Sequence, residues 1–274
     1  MKNRFSANLL NLQLQNDPLA RYFIRLSFKG TRYAGWQIQD NALTVQQVLN
    51  QAVSTVLRQD IRTTGCGRTD TGVHASMFYA HFDCETPAES VDKLIMGFNA
   101  VLPDDISVRE LFEVEPDHHA RYSAVKRTYE YFITDRPDPF YHEFSMLSYR
   151  LPDMAKMNQA CQFLLGEHDF LSFCKSDSAS KNFICTVYHA EWAIRSGVLV
   201  FRVTANRFLR GMVRAMTGTL LKVGHGRIEP HEISSVILAH DRSAAGTAAP
   251  ASGLFLTCIE YPFIETPAPL KFPV

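Results

Sequence analysis

The chain has 274 residues, long enough to bury roughly 75% of the surface that its unfolded form exposes, in one large domain or two smaller ones. Hydrophobic residues make up 46% and charged residues 20%, which excludes a disordered chain. Lys plus Arg equal Asp plus Glu at 28 each, so there is no global positive field, and any polyanion site must be a local patch.

From Met1 to Ala20, Leu9, Leu10, Leu12 and Leu14 are interrupted by Asn8, Asn11, Gln13 and Gln15. That pattern predicts a tail or short packing arm, neither a secretory leader nor a membrane span. The six cysteines, at 66, 84, 161, 174, 185 and 258, form no Cys-x-x-Cys pair, as expected for reduced thiols in a cytoplasmic protein.

Apolar side chains alternate at Ile24, Leu26 and Phe28, predicting a strand over Arg21 to Phe28 with one buried face. Thr44 and Gln47 form a capping box ahead of Val45, Val48, Leu49, Ala52, Val53, Val56 and Leu57, the spacing of an amphipathic helix. A short strand at Ile61 to Thr64 enters a glycine-rich loop and a second, Ala75 to Phe82, leaves it. A helix at Ser90 to Asn99 and a strand at Ile106 to Val114 complete a split βαβ order.

The second half opens with a predicted strand at Lys126 to Thr134, then a helix through Met154, Met157, Cys161, Leu164 and Leu165 that Gly166 is placed to end. Strands at Val187 to Ile194 and Val198 to Thr204 lead into a helix from Phe208 to Val223. A shorter helix after Pro230 and a strand at Leu254 to Tyr261 close the chain. Both halves mix helices with antiparallel strands, so the fold class expected is α+β with two related subdomains. The seam falls at Pro116 to Ser123, giving a tail (1–20), a first subdomain (21–115) and a second (116–274).

The most informative run is Gly65-Cys66-Gly67-Arg68-Thr69-Asp70-Thr71-Gly72-Val73-His74-Ala75. Glycine lets backbone turn sharply and approach a ligand closely, so Asp70 is presented on a constrained loop, with Arg68 near enough to hold it ionised. Such a carboxylate can serve as nucleophile, base or electrostatic stabiliser. Taken alone, Asp beside Thr and Gly is common turn chemistry. Asp-Thr-Gly is also the short signature of aspartic proteases, but those need two carboxylates sharing a proton, and the tripeptide occurs once.

Lys126-Arg127-Thr128-Tyr129-Glu130-Tyr131 sets Tyr129 and Tyr131 on one strand face with Arg127 alongside. This is either a half-buried aromatic ladder or a platform that stacks a nucleobase and holds its phosphate. In the predicted Phe208 helix, Arg207, Arg210 and Arg214 share one side. They form a solvated face, or they supply an arginine that pairs bidentately with Asp70. His74, His118 and His119 lack metal-ligand spacing with any cysteine pair, so no metal is assigned.

Together these residues resemble the tRNA pseudouridine synthase A family. Gly67 to Ala75 resembles its catalytic motif, and Gly30-Thr31-Arg32-Tyr33-Ala34-Gly35-Trp36-Gln37 with Thr44-Val45-Gln46 its opening motif. Phe98 to Ile106, His119 to Ala124 with Arg127 to Tyr131, Leu165 to Phe170, Phe208 to Gly218 and Ala251 to Leu256 continue in the family's order. The chain departs from the pattern at Phe98, His118 and Tyr188.

The resemblance implies two ferredoxin-like subdomains with a merged, largely antiparallel sheet and a central cleft. It implies a homodimer that binds tRNA and isomerises uridine to pseudouridine at positions 38 to 40 of the anticodon stem-loop, without a cofactor. It makes Asp70 the essential carboxylate, acting on base or ribose or through an eliminated glycal, and Arg68 the residue that enters the stem as the target leaves. Tyr129 becomes the stacking partner and candidate base at C5, Arg214 the cation pairing with Asp70, and Leu254 the residue that closes the pocket. The competing reading is a catalytically idle RNA-binding module on the same fold.

Overall fold

The computed structural model describes residues 19–87, 89–176 and 181–267. The expected tail therefore lies outside the described residues except for Leu19 and Ala20, and Ala20 already opens a strand.

The first half runs β1 (Ala20–Phe28), α1 (Val45–Leu57), β2 (Thr64–Gly65), β3 (His74–Cys84), α2 (Val91–Val101) and β4 (Ile106–Val114). At the start of α1 the Thr44 hydroxyl accepts the Gln47 amide at 3.3 Å, the cap that its sequence predicts. The strand expected at Ile61 to Thr64 is displaced to Thr64–Gly65. The backbone before it is taken by side chains of α1: Ser54 Oγ accepts the Ile61 amide at 2.9 Å and Asn50 Oδ1 the Thr63 amide at 3.0 Å. β1 pairs antiparallel with both β3 and β4, and β2 antiparallel with β3, the order of a ferredoxin-like split βαβ unit.

The second half comprises β5 (Lys126–Thr134), β6 (Met146–Leu147), α3 (Met154–Cys161), β7 (Gly166–Asp169), β8 (Ile184–Arg195), β9 (Val198–Ala205), α4 (Met212–Gly224), α5 (Glu232–Leu238) and β10 (Leu254–Glu260). Its sheet order, β10-β5-β9-β8-β7, repeats that of the first half with β7 added at the edge. The fold is α+β, built of two ferredoxin-like units. α3 passes through a 3-10 turn at Gln162–Leu164 before Gly166, at φ +94°, opens β7. So that glycine starts a strand rather than ending a helix.

The two sheets merge at β3. Its Ala80 and His81 pair with β2, whereas His74 and Ala75 pair with β10 in parallel. The connection between β2 and β3 thus leaves the sheet where the halves meet. In the second half the corresponding hairpin, β8 to β9, turns through Ser196 and Gly197 alone, at φ +47° and +82°, the tight turn favoured by strand twist.

Helices of both halves cover the same sheet face. Leu256 pairs with Tyr129 and with Ala75, and Ala75 pairs with Phe28, which share that face. There Trp36, at the foot of α1, stacks on Phe78 with centroids 4.2 Å apart. Under α3, α4 and α5, Tyr131, Ile133, Phe201 and Leu254 form the second core. All six cysteines are buried free thiols. Among the described residues, no helix is long and apolar enough to cross a membrane.

Two buried imidazoles make this packing acid-sensitive. Burial pushes His74 and His81 down to about 4 each, and neighbouring charges, His119 and Arg21 for His81, add to the shift. In the unfolded chain both titrate near their ordinary value of 6.5, so the unfolded state binds more protons between these limits. Stability is complete above about pH 6.5 and falls as the pH drops towards 4, by about 2 kcal/mol per histidine at pH 5. Melting curves should show Tm lower by on the order of 10 °C at pH 5 than at pH 7. A flat Tm over that interval would contradict the burial of these rings.

Candidate active site

The loop from Cys66 to Val73 is held from both sides. On the first-half side it is pressed against the segment before α1. The Gly72 amide donates to the Tyr33 carbonyl at 3.2 Å and the Trp36 amide to the Thr69 carbonyl at 3.4 Å. The contact tolerates no side chain: a Cβ on Gly35 would lie 2.2 Å from the Thr69 oxygen, and one on Gly30 2.0 Å from the Val73 oxygen. Gly35 also sits at φ +84°, a conformation costly for any other residue. On the second-half side, Val73 is 2% exposed within the second core.

His74 ends the loop. Its Nδ1 accepts the Gly30 amide at 3.0 Å and its ring stacks on Phe255 with centroids 4.5 Å apart. The imidazole is neutral and structural at pH 7.

Asp70 sits at the crest of this loop, half-buried. Its Oδ2 accepts from Arg214 Nη1 at 3.3 Å, across 144 residues of chain. Arg68, expected to hold the carboxylate ionised, instead projects into solvent and forms no ion pair among the described residues. The Asp70–Arg214 contact is single rather than bidentate, because Arg214 Nε is committed to the Ala249 carbonyl at 2.7 Å. The Ala249 amide in turn donates to the Arg214 carbonyl at 2.9 Å, so this cation is fixed before any ligand arrives.

The helix expected from Phe208 begins only at Met212. Gly211 turns into the left-handed region at φ +71° and the Lys175 amide captures the Arg210 carbonyl at 2.8 Å. Arg207 and Arg210 therefore lie on a non-helical approach to α4 that ends in a turn closed by the Met212 amide on the Leu209 carbonyl at 3.1 Å, not on a shared helical side with Arg214. This break brings Gly211 and Lys175 against the site: a Cβ on Gly211 would stand 3.9 Å from Asp70 Oδ2 and 3.6 Å from the Lys175 Cβ. Lys175 is exposed, and nothing in its own sequence neighbourhood distinguishes it.

Tyr129 lies half-buried on β5, edge-on to Phe208 at 5.2 Å and packed against both cores. Burial pushes its phenol well above 10, and the nearby Cys66 and Asp70 add to the rise. It is neutral at pH 7. Leu254 begins β10 opposite Tyr131 and is 5% exposed.

Arg127 spends its two terminal nitrogens on four carbonyls. Nη1 donates to Ala124 at 3.2 Å and Asn206 at 2.8 Å, and Nη2 to Cys66 at 3.2 Å and Arg121 at 2.7 Å. At the positions that depart from the family pattern, His118 lies flat on Phe263 with centroids 3.6 Å apart, Phe98 is fully buried, and Tyr188 carries the Lys126 ammonium over its ring at 5.5 Å.

The arrangement sets a positioned carboxylate against a fixed guanidinium, with a neutral phenol and exposed cations in the adjoining segments, the kinds of group that can hold a flipped base beside an acid.

The chain matches a family model described as tRNA pseudouridine synthase over residues 26–123 and 160–262. It is 45% identical over 243 residues to tRNA pseudouridine synthase A of Bacteroides fragilis, covering 88% of this chain and 96% of the relative. The enzyme of the same name from Bacteroides thetaiotaomicron is 46% identical over 250 residues, covering 89% and 91%. That from Porphyromonas gingivalis is 44% identical over 248 residues, covering 89% and 98%.

Proposed function

The chain belongs to the tRNA pseudouridine synthase family, and from that premise we propose that it isomerises uridine to pseudouridine at positions 38 to 40 of the tRNA anticodon stem-loop. The bond from uracil N1 to the ribose breaks, the base turns, and C5 joins the same ribose carbon. C5 loses its proton and N1 gains one, so the reaction balances without an added reagent.

The observation that carries this reading is the meeting of Asp70 with Arg214 where the two halves join, with Tyr129 alongside. Asp70 is the catalytic carboxylate and Arg214 the cation that orients it. Tyr129 stacks on the uracil. With its own proton held on by burial, this phenol could accept the C5 proton only after surrendering that one, so stacking is the part assigned to it. Leu254 closes the apolar wall, and the exposed Arg68 occupies the gap that the extruded nucleotide leaves in the stem. Extrusion costs a few kcal/mol of stacking, which new stacking and phosphate contacts from the exposed Lys175 and Arg210 offset.

The first subdomain (21–115) supplies the carboxylate and the second (116–274) its partners. Two chains act together as a homodimer in the cytoplasm. Pairing reconciles zero net charge on the chain with a polyanionic substrate, since two modest basic patches can grip one polyanion.

The test is release of tritium from tRNA labelled at uridine C5. Release is expected from transcripts carrying uridine at 38, 39 or 40, with binding that weakens as salt rises, and a two-chain mass by light scattering. Equal release from a tRNA lacking uridine at all three positions would reject the site assignment, and a monomer at working concentration would reject the dimer. No release from any transcript would favour the idle binding module.

A further inference from the structure

We infer that Arg127 is a positioning residue that fixes the Asp70 loop and the Arg214 helix relative to one another, rather than a phosphate contact. The argument rests on where its four acceptors lie. The Cys66 carbonyl is at the root of the Asp70 loop, and the Asn206 carbonyl heads the segment that leads through Gly211 into α4 and Arg214. The Arg121 and Ala124 carbonyls lie in the connection between β4 and β5. Tyr129 follows two residues later on the same strand.

One guanidinium on the strand that carries Tyr129 therefore joins the segments that lead to Asp70 and to Arg214. Its planar fork suits several acceptors in fixed directions, which a lysine ammonium on a flexible stem does not reproduce.

Each end of this brace is itself anchored. The Cys66 amide donates to the Tyr79 carbonyl at 2.8 Å, tying that end to β3. Asn206 exchanges its amide with the Thr186 carbonyl at 3.0 Å, and its Oδ1 accepts the Thr186 amide at 2.9 Å, tying the other end to β8. A shift of either end moves Asp70 or Arg214. Misplacement by about 1 Å is enough to cost a reaction on the order of 100-fold. With four donor contacts spent on backbone, the group has little left for a phosphate, the role that the sequence alone suggests.

Arg127→Lys separates the two roles, because a lysine preserves a phosphate contact but not the fork. The positioning role rests on the isomerase reading, and wild-type tritium release tests that reading independently. If wild type is inactive, the isomerase reading itself fails.

With active wild type, Arg127→Lys should lower kcat by about 100-fold. KM, the dissociation constant for tRNA and the tRNA-binding stoichiometry should stay within about twofold of wild type, as expected when only transition-state contacts are lost. Arg127→Gln should leave the slope of log affinity against log salt unchanged. Near-normal kcat in Arg127→Lys would overturn the inference. So would a loss of binding stoichiometry in step with kcat, which marks unfolding alone, or a salt slope in Arg127→Gln smaller by about one, which marks a lost phosphate contact.

Discussion

Asp70→Asn should abolish tritium release, lowering kcat by about 10⁴-fold or more, while tRNA binding and Tm stay close to wild type. The substitution keeps the shape of the side chain and removes its charge. Asp70 is only half-buried and its contact with Arg214 is single and 3.3 Å long. An ion pair of that exposure contributes about 0 to 1 kcal/mol to folding, so stability and activity should separate cleanly. Asp70→Ala should behave alike in the same assay. Equal release from wild type and either variant would reject the catalytic assignment. A fall in Tm matching the fall in rate would instead return Asp70 to the role of a turn residue.

Arg214→Met should have the next largest effect, about 10² to 10³-fold in kcat. Methionine keeps much of the apolar stem and loses both polar contacts. Here a stability cost is expected too. The Ala249 carbonyl loses the Nε donor that reaches it at 2.7 Å, and a buried acceptor left unsatisfied costs about 1 to 3 kcal/mol. Arg214→Lys keeps the charge but cannot reach Asp70 and the Ala249 carbonyl together, so it should recover little of the rate. Single-turnover rates, normalised to the folded fraction from melting curves, check both variants. A rate within threefold of wild type in Arg214→Met would show that the guanidinium is incidental to the chemistry.

Much of the fold is legible in the sequence because its elements carry strong periodic patterns. The strands Ile106–Val114 and Lys126–Thr134 fall at the predicted bounds, and the Thr44 cap and α1 follow from local chemistry alone. The two-residue β6 and the four-residue β7 carry no such pattern. They exist because Ile133 and Thr134, or the start of β8, offer a free edge. α4 misleads because Arg207, Arg210 and Arg214 keep helical spacing, although Lys175 holds the Arg210 carbonyl from a remote segment and Gly211 permits the turn.

The site shows the same division. Asp70, Tyr129 and Arg214 are identifiable from residue type and motif; Asp70 and Arg214 do meet, and Tyr129 lies near enough for the charge of Asp70 to raise its phenol. The partner of Asp70, however, is not its sequence neighbour Arg68 but a cation 144 residues away. Nor does the sequence disclose that Arg127 is bound to main-chain oxygens, since every residue has a carbonyl and none advertises which will be engaged. Lys175 escapes notice for the complementary reason, being an ordinary surface lysine until the turn at Gly211 packs beside it and beside Asp70.

The hairpin of the second half closes through Ser196 and Gly197, where its counterpart in the first half opens into the long Asp70 loop. Repetition of topology therefore stops short of repetition of chemistry. On the proposed reading the Asp70 loop belongs to one half alone, so the expectation is that a bound stem is worked on in one orientation and not in its reverse.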